Sequence, residues 1–135
     1  MIFIDTNIWC YFFDEKSKEH KKASKFIKNI LGREEIVINT IVAMELSHYL
    51  VKILGPVHGK KKIEAFLSFG FIIDELDFAA SKNSIDILCE YSHKGIGGRD
   101  ATILASMKRY KIKKLATHDN SFKEIGEIEV FDPAE

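Results

Sequence analysis

Apolar and polar positions fall in blocks along the chain. Ile2-Phe3-Ile4 is an apolar run that gives way at once to Asp5-Thr6-Asn7, the pattern of a buried strand closed by turn-forming residues. Similar short runs recur at Ile36-Val37-Ile38, Phe71-Ile72-Ile73, Lys114 to Thr117 and Ile128 to Phe131. Between them the period changes to that of helices. Asn7 to Phe13 opens a short one. Lys18 to Leu31 is amphipathic, with Ala23, Phe26, Ile27 and Ile30 on one face and lysines opposite, and Gly32 ends it. Thr40 is placed to cap a helix from Ile41 to about Leu54, which Gly55-Pro56 breaks before Lys61 to Ser68 resumes. Asp77 caps a helix through Tyr91, Gly95 to Gly98 forms a loop, and Ala101, Leu104 and Ala105 mark a helix from Arg99 to Tyr110. Strands alternating with helices predict an α/β fold, a three-layer α/β/α sandwich around a mostly parallel sheet.

Length and composition fit this picture. The 135 residues suit one domain, 1–135, and a hydrophobic content of 46% with ten phenylalanines marks a globular chain. Acids and bases are matched at 20 each, so no global charge points to nucleic acid or membrane. Lysines nevertheless crowd Lys16 to Lys28, Lys60 to Lys62 and Lys108 to Lys114, a distribution that allows a basic rim around an acidic pocket. Cys10 and Cys89 form no CxxC and read as small apolar core residues. Met1 leads directly into a strand with no basic n-region and no long apolar segment. That pattern argues against a signal peptide and a membrane span and places the chain in the cytoplasm.

The acids carry the chemistry. In α/β folds ligands bind beyond the carboxyl ends of the strands, so Asp5, at the end of the first strand, faces either a site or the helix it would cap. Thr6 and Asn7 could cap that helix equally well. Glu45 lies in the apolar stretch Ile41-Val42-Ala43-Met44-Glu45-Leu46, beside the buried stripe. A glutamate there needs a partner or a path to solvent, and His48 is the nearest candidate. Asp100 begins a helix after Gly95-Ile96-Gly97-Gly98-Arg99, where so many glycines suggest close approach of the backbone to a ligand or a neighbouring element. Asp119, in Thr117-His118-Asp119-Asn120-Ser121-Phe122, repeats the strand, acid and apolar-anchor order seen at Asp5.

Taken together, Ile4-Asp5-Thr6-Asn7, Asn39-Thr40-Ile41-Val42-Ala43-Met44-Glu45-Leu46, Gly98-Arg99-Asp100-Ala101 and Thr117-His118-Asp119 with Phe122 resemble the PIN domain family, and especially its VapC-type toxins. The motifs occur in the family's order and span nearly the whole chain. The resemblance implies a metal-dependent ribonuclease with Asp5, Glu45, Asp100 and Asp119 as its acidic, metal-binding quartet. It further implies that Thr6, Asn7 and Thr117 orient these acids by hydrogen bonds. Asn39 stands where family members often carry serine, and Arg99 receives no catalytic task. The likeness also implies a small antitoxin partner and a homodimer, for which the helices between Lys18 and Leu54 offer an apolar patch. Oxygen donors of this kind suit Mg²⁺ or Mn²⁺, and no histidine or cysteine cluster offers a zinc site instead.

Four carboxylates without a cation repel one another, so Asp5→Asn or Asp100→Asn is expected to leave the metal-free protein as stable as wild type or more so. Two other readings compete with the toxin: a PIN nuclease that processes RNA without an antitoxin, and a PIN-like binding module that has lost activity. Intact acids at all four positions oppose the second, and a short neighbouring reading frame for a DNA-binding antitoxin would favour the toxin. Phosphatases of the haloacid dehalogenase type need a second acid where this chain has Asn7, and receiver domains need an N-terminal acidic pair that is absent.

Overall fold

The computed structural model describes all residues from Met1 to Glu135. Its strands are β1 (Ile2–Ile4), β2 (Ile36–Asn39), β3 (Ile72–Asp74), β4 (Lys114–Ala116) and β5 (Glu129–Phe131). They form one sheet in the order β3-β2-β1-β4-β5, and every neighbouring pair is parallel. The helices are α1 (Thr6–Phe13), α2 (His20–Ile30), α3 (Thr40–Leu67), α4 (Phe78–Tyr91) and α5 (Gly98–Arg109). Parallel strands need crossovers, and right-handed crossovers put helices that step one way along the sheet on one face and those that step back on the other. The steps from β1 to β2 and β2 to β3 therefore carry α1, α2 and α3 on one face. The return from β3 to β4 carries α4 and α5 on the opposite face. The order reverses between β1 and β4, and a crevice opens at their carboxyl ends.

Burial explains why the central strands read as unbroken apolar runs. Every residue of β1 and β2 is buried, as a sheet covered on both faces requires. Trp9 of α1 is fully buried and packs its ring 4.8 Å from Phe66 and 5.0 Å from Phe71, tying α1 to the far arm of α3 and the entry to β3.

Several local expectations change in physical detail. Asn39, not Thr40, caps α3: its side chain accepts from the Val42 amide at 2.9 Å, and Thr40 is the first helical residue. Thr40 instead turns its hydroxyl to accept from the Leu76 amide at 3.1 Å. The helix does break at Gly55, whose φ of 81° is open to glycine at little cost. The close backbone approach sits at Gly59, where a Cβ would come within 3.0 Å of the Val51 Cα and 3.1 Å of the Leu50 carbonyl. At Gly95, Gly97 and Gly98 an added Cβ meets nothing within 4 Å, so the glycines before Asp100 do not serve close packing. Cys10 is half-buried, but Cys89 is exposed on α4 and is not a core residue. Lys111, Lys113 and Lys114 lie at the start of β4, the amino-terminal edge of the parallel sheet, opposite the edge that carries Asp5.

Candidate active site

Asp5 follows the last residue of β1 and stands at the crevice between β1 and β4. Its amide donates to the Ala116 carbonyl at 2.9 Å, which extends the ladder by one bond and fixes where the carboxylate points. The side chain is fully buried. Its Oδ1 accepts from the Thr6 amide at 2.7 Å, so Asp5 itself is the cap of α1, a role that Thr6 and Asn7 do not take. Its Oδ2 accepts from the Thr117 hydroxyl at 2.7 Å and from Asn7 Nδ2 at 3.5 Å. Thr117, buried just past β4, in turn accepts from the Asp119 amide at 3.0 Å and from Asn7 Nδ2 at 3.3 Å. Thr6, Asn7 and Thr117 thus form a hydrogen-bonded frame at the β1–β4 crevice.

Glu45 reaches the same place from the second turn of α3. Val42 and Leu46 beside it are fully buried, whereas the Glu45 side chain is half-buried. Its Oε1 accepts from the Thr6 hydroxyl at 2.9 Å. His48 is exposed and is not its partner. The partner is Arg99, whose Nε donates to both Glu45 oxygens at 2.7 and 2.8 Å. Arg99 Nη1 donates to Asp100 Oδ1 at 2.9 Å, and Nη2 donates to Asp5 Oδ1. One guanidinium therefore bridges Asp5, Glu45 and Asp100, contributed by β1, α3 and α5.

Asp100 stands in the first turn of α5, where a negative charge is favoured by the helix dipole, and its Oδ2 accepts weakly from the Gly97 amide at 3.4 Å. Asp119 is the least engaged of the quartet. Its Oδ1 accepts from the Ser121 amide at 2.9 Å and caps the short 3-10 turn Asn120–Glu124, which the fully buried Phe122 anchors. It joins the other acids only through the Thr117 hydroxyl. Three of the predicted acids are thus brought together on one guanidinium, and the fourth is linked to Asp5 by two hydrogen bonds, from its backbone amide to Thr117 and from Thr117 to Asp5.

Electrostatics follow from this packing. Burial raises the Asp5 carboxyl above the ordinary aspartate range, against the opposing pull of Arg99, Thr117 and the Thr6 amide. Burial works the other way on Arg99, but Asp5, Glu45 and Asp100 outweigh it and hold the guanidinium above the ordinary arginine value. Cys10, half-buried behind the acids, is pushed up to about 12 by burial and then by Glu45 and Asp5, which makes it an inert thiol. A cavity of about 450 Å³ lies elsewhere, between α4 and α5, and is lined by Asp74, Asn83, Ser106 and Arg109 and by none of the four acids.

Sequence reasoning missed Arg99. The signal was present, since an acid beside a buried stripe demands a cation, but the cation comes 54 residues after Glu45. The donor set suits a hard divalent cation: carboxylate oxygens from three elements already converge on one positive group. With the guanidinium in place, no three acidic, histidine or cysteine side chains close around one point as metal ligands do.

The chain matches the PIN domain family over residues 2–128. It is 27% identical over 142 residues to Ribonuclease VapC24 of Mycobacterium tuberculosis, covering 98% of this chain and 97% of that one. Among solved structures it resembles VapC20 of Mycobacterium tuberculosis, described as a sarcin-ricin loop cleaving toxin. The TM-score is 0.77 at 19% identity, over 93% of this chain and 95% of that one. A toxin–antitoxin complex from Klebsiella pneumoniae matches with a TM-score of 0.76 at 22% identity, over 98% of each chain. At these identities the structural likenesses show the fold.

Proposed function

The chain belongs to the PIN domain family, and on that premise we propose that it is a Mg²⁺- or Mn²⁺-dependent endoribonuclease, the toxin of a toxin–antitoxin pair. One observation carries this reading: Asp5, Glu45 and Asp100 converge from three elements on a single cation at the carboxyl edge of the sheet, where its strand order reverses. Asp5, Glu45 and Asp100 would hold the ion, with Asp119 completing the set across Thr117. When bound, the ion would make a water more acidic and offset charge on the scissile phosphate.

The chain's own residues do the rest. Thr6, Asn7 and Thr117 hold the carboxylates of Asp5 and Glu45 in place by hydrogen bonds. The burial of Asp5 keeps bulk water from one side of the site. Direct attack of water on the phosphodiester leaves 5′-phosphate and 3′-hydroxyl ends and needs no pair of histidines to work through the 2′-hydroxyl. Single-stranded or loop RNA is the substrate class, because its backbone can enter a crevice of this kind.

An antitoxin partner is supported by the likeness to a toxin–antitoxin complex. It is supported too by the apolar residues that α3 leaves in solvent, Met44 and Val57 above all. A second copy of the chain is a further partner; besides the helices between Lys18 and Leu54, Phe78 and Ile85 on α4 leave apolar surface in solvent for it. No helix is long and apolar enough to cross a membrane. The test is cleavage of a single-stranded RNA by wild type and Asp100→Asn with Mg²⁺, with Mn²⁺ and with chelator. Cleavage by wild type with either metal alone is expected, and equal cleavage in chelator overturns the proposal.

A further inference from the structure

Arg99 fills the point on which the acids converge. Its Nε meets both oxygens of Glu45 at 2.7 and 2.8 Å, Nη1 meets Asp100 at 2.9 Å and Nη2 meets Asp5. A planar guanidinium holds its carboxylates at the ends of a fork, whereas a divalent ion draws oxygens to about 2.0–2.1 Å around one point. The same carboxylates cannot do both at once, and two cations side by side would repel. Without a cation the site is destabilised, because the Asp5 carboxylate is fully buried beside two other acids. The Arg99 side chain is 31% exposed, so it already borders the solvent into which it would move.

We propose that Arg99 is a resident counter-cation of the metal centre, which holds Asp5, Glu45 and Asp100 together in the metal-free protein and must leave them for a divalent ion to bind. The proposal rests on reading these acids as a metal centre. Metal binding is then an exchange of cations. The observed affinity is reduced by the fraction of molecules in which Arg99 holds the acids, so cleavage begins only when the divalent ion is abundant enough to displace it.

Binding of Mn²⁺ alone to the full-length protein tests this, with free Mn²⁺ followed by its electron paramagnetic resonance signal. Arg99→Gln should bind Mn²⁺ about tenfold more tightly than wild type, or better, because nothing competes for the acids. In chelator the same variant should melt below wild type, and Mn²⁺ should raise its melting temperature by more than it raises that of wild type. Arg99→Lys keeps the charge but makes a point contact in place of a fork. It should fold in chelator and bind Mn²⁺ with intermediate affinity, which keeps the test open if Arg99→Gln fails to fold. Mn²⁺ affinity in the folded variants equal to wild type would make Arg99 a purely structural ion-pair partner, and weaker affinity would make it a co-ligand's helper. Either result overturns the exchange while leaving the metal centre intact. Absence of Mn²⁺ binding in wild type and both variants would remove the metal reading and the exchange together.

Discussion

Replacing Asp5 by asparagine keeps the shape of the side chain and removes one charge, so it measures how the acids are compensated in the absence of metal. Asp5 accepts from four donors: the Thr6 amide and Arg99 at one oxygen, Thr117 and Asn7 at the other. An asparagine offers one acceptor oxygen, and in either orientation its NH₂ faces two of those donors. Hydrogen bonds to a charged group contribute about 1.5–3 kcal/mol each, and breaking a buried ion pair costs about 3–5 kcal/mol. Because the Arg99 side chain is 31% exposed, the lower part of that range applies. A loss of about 3 kcal/mol is expected, or roughly 10 °C in melting temperature for a chain of this size. This reverses the expectation drawn from four mutually repelling acids, because Arg99 already pairs with three of them and Asp5→Asn removes its most buried partner. The assay is thermal unfolding at neutral pH in chelator, alongside urea unfolding to confirm an unchanged slope. A variant that melts at or above the wild-type temperature would refute the compensation by Arg99.

Other predictions concern parts of the fold that surround the site. Asn39→Ala removes the cap of α3 together with two buried hydrogen bonds, to Thr102 and Ser106 at 3.3 Å each, and should cost about 2–3 kcal/mol in urea unfolding; a loss below about 0.5 kcal/mol would contradict it. Glu34 accepts from Lys114 at 2.7 Å, which holds its carboxyl below the ordinary glutamate range. A lowered carboxyl stabilises the fold above the unfolded-state value, and that contribution is lost as pH falls through the folded-state value. Glu34→Gln should therefore be slightly less stable than wild type at pH 7, by at most about 1 kcal/mol, and equal to it near pH 3; a difference that persists in acid would refute the assignment. Lys111→Ala with Lys113→Ala should leave the KM for RNA and its salt dependence unchanged, because both lysines lie at the sheet edge opposite the acids; a raised KM would place RNA across that edge.

Most of the architecture was legible because the strands and helices announce themselves by period. Ile2 to Ile4 and Ile36 to Ile38 are apolar on both faces, which only a covered parallel sheet requires. Asp77 reads correctly as a cap because its side chain has a local amide to meet, that of Ala80 at 2.8 Å. Asn39 was less visible, since its second function, bonding Thr102 and Ser106 of α5, is set by tertiary packing. Glu45 shows both limits at once. Its place beside a buried stripe signals a partner, yet nothing local separates exposed His48 from Arg99, which only the fold brings near. The glycines before Asp100 do not approach a neighbouring element, and Gly95 is instead required by its φ of 77°. The packing contact that needs glycine is made by Gly59, where the second arm of α3 folds back on Leu50 and Val51.

The claim that ties these observations together is that the carboxylates at the crevice of β1 and β4 hold a divalent ion for cleavage of RNA. Anomalous scattering from crystals of the wild-type protein soaked in Mn²⁺ tests it most directly. The account predicts one strong peak within bonding distance of Asp5 and Asp100, with the Arg99 guanidinium moved off both. Mn²⁺ found only at other sites, with Arg99 still joined to Asp5, Glu45 and Asp100, would contradict it.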